Sequence, residues 1–237
     1  MIVGNSDGIG HALTRRLLDG GWTVAGLSRS PSDLRHDRYR HVVADVTSAG
    51  YPLVLAAELD TLGGVDLCVY AAGVGEFADV TDLSPQTQAL EVNLIGAART
   101  LEVVVPLMVA AGAGHIIGLS SLADAAPSGI APGYAASKAG LTSYLRGLSL
   151  ALDPHGVRVT TVRLGFVDTK MAKGDRRPAM MPVSRVTDML TAAIATRPVV
   201  ISRPRRMDLA MRLLAAATAV RQRQWPPRIP RPRTRHP

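Results

Sequence analysis

Short aliphatic runs alternate along the chain with longer segments in which apolar residues recur every three to four positions. The short runs have the length of strands, and the longer segments have the period of helices. The predicted strands are residues 1–3, 23–28, 41–44, 65–71, 115–120, 157–162 and 198–202. The predicted helices are residues 9–19, 51–62, 85–111, 133–152 and 184–196. Because parallel strands need such crossovers, we predict an α/β fold with a doubly wound parallel sheet, the Rossmann fold, in a single domain.

The C-terminal part of the chain departs from this alternation. Residues 206–222 predict an amphipathic helix, whose apolar face we expect to pack on the domain rather than on a membrane. That face comprises Leu209, Leu213, Leu214 and Ala217. From Trp225 onward the sequence is rich in Pro and Arg and lacks apolar periodicity, which is typical of disorder. The predicted units are a Rossmann domain at 1–203, a C-terminal helix at 204–223 and a disordered basic tail at 224–237.

The formal net charge of +8 is concentrated at the C-terminus. Residues 203–237 hold ten Arg and one Asp, a balance of +9, which leaves −1 for residues 1–202. The basicity therefore belongs to the tail, for which we expect contact with an anionic surface. We do not expect nucleic acid as a partner of the near-neutral domain.

The composition also bears on location and on metals. Cys68 is the single cysteine, so the sequence predicts neither an intramolecular disulfide nor a metal site. The longest apolar runs fall short of a bilayer span, and the N-terminus lacks the pattern of a signal peptide. We therefore expect a cytoplasmic protein.

A glycine-rich segment joins the first predicted strand to the first predicted helix. Glycines at 4, 8 and 10 permit a tight turn and let the backbone approach a pyrophosphate, which can bind the N–H groups at the helix N-terminus. The alternative is a sharp turn with no ligand. The predicted cofactor contacts in this segment are Gly4, Ser6, Gly8, Ile9 and Gly10.

Residues after the second and third predicted strands bear on the choice of dinucleotide. Arg29 stands where an acidic residue would bind the ribose 2′-hydroxyl of NAD, and an arginine suits a 2′-phosphate, so we predict NADP(H) rather than NAD(H). Arg29 could instead be a solvated loop residue. Asp7 lies in the glycine turn, where its carboxylate would repel a phosphate unless it turns to solvent. Asp45 could accept a hydrogen bond from the adenine amino group, or simply close a turn before Thr47.

Tyr134 and Lys138 lie four residues apart on a predicted helix and therefore share one face. A free phenol has a pKa of about 10. A nearby ammonium is expected to lower the pKa of Tyr134 toward the range of a useful general acid/base.

In order along the chain, these motifs resemble those of a short-chain dehydrogenase/reductase of the ordinary one-domain kind. The motifs are Gly4-x-x-x-Gly8-Ile9-Gly10, Asp45-Val46, Ala71-Ala72-Gly73, Asn93, Ser121, Tyr134-x-x-x-Lys138 and the segment 165–169. The resemblance covers residues 1–170 closely and 183–202 loosely. The sequence departs from the family at Tyr70-Ala71, where asparagines are common, and at Leu164, where a proline usually precedes the glycine.

The resemblance implies a role for each matching residue. Tyr134 would be the general acid/base, and Lys138 would bind the nicotinamide ribose and lower the tyrosine pKa. Ser121 would bind the substrate oxygen, and Asn93 would hold a water in a proton relay. The further cofactor contacts implied are Val46, Ala72, Gly73, Val167 and Thr169.

The resemblance also implies an activity, namely hydride transfer between NADP(H) and a carbonyl or secondary alcohol. The alternative is a protein that binds NADP(H) as a sensor or scaffold without turnover. Family members associate through the helices predicted here at 85–111 and 133–152, which implies a homodimer or a homotetramer. Residues 170–182 fall where such enzymes carry a substrate lid, and their methionines, Met171, Met180 and Met181, are expected to line an apolar pocket.

Overall fold

The residues that the structure, a computed structural model, describes are 1–172 and 179–223, and they contain one sheet of seven parallel strands. The strands are β1 (Ile2–Val3), β2 (Val24–Ser28), β3 (Tyr39–Val43), β4 (Leu67–Tyr70), β5 (Gly114–Ser121), β6 (Val157–Leu164) and β7 (Val200–Arg203). Their order across the sheet is β3-β2-β1-β4-β5-β6-β7. The order changes direction between β1 and β4, so a crevice opens there at the carboxyl ends of the strands.

Helices cover both faces of this sheet. They are α1 (Gly8–Asp19), α2 (Tyr51–Leu62), α3 (Ser84–Leu90), α4 (Gly96–Ala111), α5 (Pro132–Leu152), α6 (Val183–Thr196) and α7 (Arg205–Arg223). A core on one face includes Leu13 of α1 and Leu190 of α6, and a core on the other face includes Leu55, Leu101 and Leu141 of α2, α4 and α5. The predicted doubly wound parallel sheet is therefore confirmed.

All seven predicted strands are present, but several ends differ from the prediction. β3 begins at Tyr39 because all five of its residues pair with β2. β6 continues to Leu164 because the neighbouring strand β5 also extends, so that Leu164 pairs with Ser121. This extension brings a predicted catalytic serine to the end of the sheet.

The long helix predicted at 85–111 is interrupted, but Pro106 does not end it. Pro106 lies inside α4, which continues on both sides of it. The regular pattern changes at Glu91–Ile95, which forms a π-helical turn. The buried Tyr70 hydroxyl donates a 2.6 Å hydrogen bond to the carbonyl of Val92 in this turn. A π-helical turn widens the helix and leaves some backbone carbonyls without their usual partner. The Tyr70 hydroxyl is the partner of the Val92 carbonyl.

α7 packs on the domain through a face other than the predicted one. Three of its leucines are exposed, namely Leu209 (62%), Leu213 (64%) and Leu214 (53%). Met207 and Met211 are half-buried instead, and Met207 packs against Gly165. The prediction that the leucine face packs on the domain is therefore wrong. The reason is the ion pair between Asp208 and Arg163, which holds α7 with the face that carries Met207 and Met211 toward the domain.

One stretch of helix, Ser84–Ala111, is long and apolar enough to cross a membrane by length and composition alone. Its most apolar 18-residue window has a mean hydropathy of 1.7, and 33% of that window is buried. Core helices pass the same test, and in this fold Ala97 and Leu101 of the stretch pack in the core.

Two parts of the sequence prediction fall outside the described residues. They are residues 173–178 of the predicted lid segment and the predicted tail at 224–237. Of the lid methionines, Met181 is buried in the core beside Val167, whereas Met171 and Met180 are exposed.

Candidate active site

The glycine turn lies at the crevice between β1 and β4. Gly4 has a φ of +86° and Gly8 a φ of +56°, values that L-residues with side chains rarely adopt. A Cβ at Gly4 would collide with the backbone of Ala72, and a Cβ at Gly10 would collide with the carbonyl of Gly4. At Gly8 a Cβ would come within 3.2 Å of the Thr169 methyl group. Glycine is thus required for the close packing of β1, α1 and β4, and Thr169 faces the turn from across the crevice.

Both oxygens of the Asp7 carboxylate, which could repel a phosphate bound in this turn, have partners within the protein. Its Oδ1 accepts a 2.7 Å hydrogen bond from the Gly8 N–H and caps α1. Its Oδ2 lies 2.8 Å from the Nζ of Lys170, and both side chains are exposed. The hydrogen bond from Lys170 and that from Gly8 lower the pKa of Asp7. The carboxylate is therefore paired with Lys170, the first residue of the segment where a lid is predicted.

Arg29 follows β2 on an exposed loop, and side chains of β2 and β3 contact the backbone of this loop at Ser30. The buried Ser28 donates its Oγ hydrogen to the carbonyl of Ser30 at 2.8 Å, and His41 Nε2 lies 3.1 Å from the same carbonyl. His41 Nδ1 lies 3.0 Å from the Tyr39 hydroxyl, which accepts a hydrogen bond from the Asn5 amide. This chain of hydrogen bonds connects the glycine turn with the Arg29 loop, and the sequence patterns did not indicate it.

Asp45 closes a turn, as one of its two interpretations predicted. Its Oδ1 accepts hydrogen bonds from the Thr47 amide at 2.9 Å and from the Thr47 hydroxyl at 2.8 Å. The backbone and side chain of Thr47 lower the pKa of Asp45, and the charge of Arg29 adds to this. Contact between Asp45 and adenine stays a prediction, and Val46 is buried beside it.

α5 places Lys138 next to Tyr134, beside the carboxyl end of β5. The Nζ of Lys138 lies 5.8 Å from the centre of the Tyr134 ring and donates a 2.9 Å hydrogen bond to the carbonyl of Leu119. Burial lowers the pKa of Lys138 to about 8. The spacing Tyr-x-x-x-Lys therefore brings a phenol and an ammonium together at the site.

Tyr134 also meets Ser121. Burial raises the pKa of Tyr134, a hydrogen bond with the Ser121 side chain opposes this rise, and the charge of Asp124 adds to it. The predicted lowering of the Tyr134 pKa by Lys138 is therefore not found in the protein alone, because desolvation of the phenol outweighs the polar contacts.

Asn93 lies in the π-helical turn, and its side chain is fully buried and bonded to the protein. Its Oδ1 accepts a 2.8 Å hydrogen bond from the Val74 N–H, and its Nδ2 donates to the Val74 carbonyl and to the Ser137 hydroxyl, both at 2.9 Å. Ser137 in turn donates to the carbonyl of Tyr134 at 2.7 Å. Asn93 thus ties the segment after β4 to α5. A relay water at Asn93 stays a prediction.

The segment after β4, which contains Gly73 and Gly75, lines the bottom of the crevice between Asn93, Lys138 and Tyr134. A Cβ at Gly73 would lie 3.3 Å from Asn93 Oδ1 and 3.5 Å from both Lys138 Nζ and Met171 Cε. Two residues on, a Cβ at Gly75 would lie 2.8 Å from the Tyr134 ring. The sequence patterns missed Gly75, and its lack of a side chain keeps the Tyr134 ring against this segment.

The sequence patterns also missed a buried ion network behind the site. The side chains of Arg163, Asp124 and Asp208 are only 7%, 3% and 14% exposed. Arg163 donates to both oxygens of Asp124 at 2.5 and 2.6 Å, and to Asp208 at 2.6 Å. Burial opposes ionisation of Asp208, but hydrogen bonds from Arg212 and Arg163 outweigh it and lower the pKa of that carboxyl.

This network supports the turn that follows Ser121. The Ser121 Oγ accepts a 3.1 Å hydrogen bond from the Ala123 N–H, which begins the 3-10 turn Leu122–Ala125. Asp124 in that turn also accepts a 2.6 Å hydrogen bond from Thr142 of α5. The turn carrying Ser121 is therefore fixed to β6, to α5 and, through Asp208, to α7.

Sequence comparison defines the family of the chain. The family model of short chain dehydrogenases matches residues 1–179. An uncharacterized oxidoreductase of Myxococcus xanthus is 33% identical over 190 residues, which cover 75% of each chain. The 3-oxoacyl-[acyl-carrier-protein] reductase FabG of Vibrio cholerae is 29% identical over 203 residues, 79% of this chain and 83% of its own. The chain belongs to the short-chain dehydrogenase family of oxidoreductases.

Solved structures of similar fold agree with this assignment. A short-chain dehydrogenase from Burkholderia cenocepacia in complex with NADP has a TM-score of 0.81 at 24% identity, covering 95% of this chain and 96% of its own. A 4-hydroxyisoleucine dehydrogenase in complex with NADH has a TM-score of 0.76 at 20% identity, covering 85% and 97%. At such identities the likeness concerns the fold.

Proposed function

We propose that the chain is an NADP(H)-dependent reductase or dehydrogenase that moves a hydride between the nicotinamide and a carbonyl or secondary alcohol carbon. The observation that carries this proposal is the placement of the buried ammonium of Lys138 5.8 Å from the centre of the Tyr134 ring, with the Ser121 side chain near enough to affect the pKa of that phenol. Two neighbouring hydroxyls can both contact one substrate oxygen, and Tyr134 is the one with an adjacent cation. Family membership and the nicotinamide nucleotides of the similar structures support the cofactor class.

The crevice fits such a dinucleotide. The glycine turn lacks side chains where α1 begins, and a helix N-terminus favours phosphate. Gly73 leaves space that Asn93 and Lys138 border, and Thr169 faces Gly8 from the other side. When bound, the nicotinamide supplies or accepts the hydride, which no protein side chain can do.

The protein residues perform the proton transfer and hold the substrate oxygen. In reduction, Ser121 and Tyr134 donate hydrogen bonds to the carbonyl oxygen, and Tyr134 gives up its proton to that oxygen. The ammonium of Lys138 then faces the tyrosinate and stabilises its charge. Ser121 is held in place by the turn that Asp124 anchors. In the protein alone its hydroxyl donates a 3.3 Å hydrogen bond to the Leu164 carbonyl, and it would turn to the substrate oxygen when substrate binds.

Burial of the phenol favours reduction of the carbonyl near neutral pH. Because burial raises the pKa of Tyr134, the group keeps its proton there and is ready to act as an acid. Oxidation of the alcohol needs the phenolate, so its rate should rise with pH while reduction stays level or falls. Initial rates in both directions, measured from about pH 6 to about pH 10, test this. An oxidation rate that is level across this range would contradict the assignment.

The activity itself is tested with a panel of ketones, aldehydes and secondary alcohols, followed by the absorbance of NADPH. A β-ketoacyl thioester belongs in the panel because the Vibrio cholerae relative is a 3-oxoacyl reductase. Turnover with any carbonyl supports the proposal. Tight binding of NADPH without turnover across the panel would favour the alternative of a sensor or scaffold.

The preference for NADP(H) is tested at Arg29. We expect Arg29→Ala to raise the Kd of NADPH by about 10- to 100-fold, the value of one charge-assisted hydrogen bond to the 2′-phosphate. The Kd of NADH should change little. Arg35→Ala is a matched control, because Arg35 lies on the same loop and bonds to backbone carbonyls there. Fluorescence titration gives both constants, and equal changes for the two nucleotides would contradict a contact between Arg29 and the 2′-phosphate.

We also propose a cytoplasmic homodimer that associates through α4 and α5. Leu107 on α4 and Leu150 on α5 are exposed apolar side chains on these helices. Light scattering after gel filtration measures the mass.

A further inference from the structure

The outer face of α7 is apolar and belongs to neither core of the domain. Leu209, Leu213 and Val220, which we call the outer stripe, are each more than half exposed. Leu214, with 53% exposure, lies about 140° from Leu209 around the helix and is not part of the stripe. Because Asp208 is bonded to Arg163 and Met207 packs against Gly165, the helix cannot turn the outer stripe inward without breaking these contacts. The outer stripe is therefore available to a partner outside the domain.

Positive charge flanks the outer stripe on both sides. At 100° per residue, Arg205 and Arg212 lie within about 60° of Leu209 on one side, and Arg206 lies about 60° away on the other. All three are exposed. The single acid of α7, Asp208, is paired with Arg163 on the inner side and also with Arg212 at 3.2 Å, whereas Arg163 is buried and Arg212 is exposed. The sequence beyond α7 adds four Arg and no acid in residues 224–237.

The chemistry of this face selects its partner. A nucleic acid offers negative charge, but it offers no apolar surface for the two leucines and the valine of the outer stripe. A second copy of α7 offers apolar surface, but a symmetric contact would bring positive face against positive face. The surface of an anionic bilayer offers both, because leucines enter the boundary of the acyl chains while arginines reach the lipid phosphates.

We propose that α7 docks on anionic lipid bilayers, with its axis in the plane of the surface and the outer stripe inserted. The 19 residues of α7 form about 28 Å of preformed helix. Since the helix is already fixed to β6, docking does not require it to fold at the membrane, which usually costs affinity. The same attachment orients the whole domain on the lipid surface.

The test is co-sedimentation of the full chain with vesicles of phosphatidylcholine, with and without phosphatidylglycerol. We expect binding to the vesicles that contain phosphatidylglycerol and little to the others. Leu209→Gln together with Leu213→Gln should weaken that binding about 100-fold, roughly tenfold for each leucine removed from the interface. Both positions are exposed, so the fold should be unaffected, which circular dichroism and the melting temperature verify.

Matched controls separate the outer stripe from other causes. Leu53→Gln with Leu83→Gln, two exposed leucines far from α7 in sequence, should bind as the wild type does. Arg205→Gln with Arg206→Gln should weaken binding by about 25-fold, near fivefold for each arginine at an anionic surface. Deleting 224–237 should weaken binding through lost charge and leave the effect of the leucine substitutions intact.

Three outcomes would overturn the proposal. The first is a wild type that ignores phosphatidylglycerol, and the second is a leucine variant that binds as the wild type does, which would make the contact purely electrostatic. The third is a leucine variant whose mass by light scattering falls below that of the wild type, because the outer stripe would then be covered by a second copy.

Discussion

Tyr134→Phe is expected to lower kcat for carbonyl reduction by about 10²- to 10⁴-fold, the usual contribution of a positioned general acid. The substitution removes only the hydroxyl, so the ring keeps its contact with Gly75 and α5 keeps its packing. The Kd of the nucleotide should therefore change by little. Steady-state rates and fluorescence titration of the same preparation measure the two effects.

Tyr144→Phe is the matched control for this substitution. Tyr144 lies on the same helix, is half-buried and packs against the core rather than at the crevice. It should keep full activity. Lys138→Met should lower both nucleotide affinity and kcat, because Lys138 is buried between the crevice and the carbonyl of Leu119. A Tyr134→Phe protein that retained substantial activity would assign the proton to another group.

The architecture could be predicted from the sequence because its signals are local. Aliphatic runs and helical periods fall within single segments, so all seven strands were identified, and the spacing of Tyr134 and Lys138 required only one turn of helix. Strand ends were less accurate because pairing with the neighbouring strand decides them. β6 reaches Leu164 only because Ser121 of β5 lies beside it.

Other features depend on contacts that are distant in sequence. α7 has apolar residues on two sides, with Met207 and Met211 on one and Leu209 and Leu213 on the other, so periodicity does not choose between them. The choice is made by Asp208, which pairs with Arg163 of β6. The π-helical turn likewise shows no local signal, although the tyrosine where the family often has asparagine marks the residue that bonds to it.

The same ion network leads to the second large effect. Arg163→Met is expected to lower the free energy of unfolding by about 3–5 kcal/mol, because it leaves the buried carboxylate of Asp124 without its cation. For a domain of this size the melting temperature should fall by about 6–20 °C. Arg158→Met on the same strand is the control. Its ion pair with Asp153 is more than half exposed, so the loss there should stay within about 1 kcal/mol.

A role in positioning Ser121 requires a readout beyond stability. At a temperature where Arg163→Met remains folded, kcat should fall while the Kd of the nucleotide is kept, because the turn Leu122–Ala125 holds Ser121 and does not touch the glycine turn. Adding Asp124→Asn to Arg163→Met removes the uncompensated charge and keeps an oxygen for Thr142, so most of the lost stability should return. Recovery of stability together with kcat would show that the charge balance at Asp124 holds the turn. Recovery of stability alone would show that Arg163 itself orients it, and a fully active, fully stable Arg163→Met protein would rule out both roles.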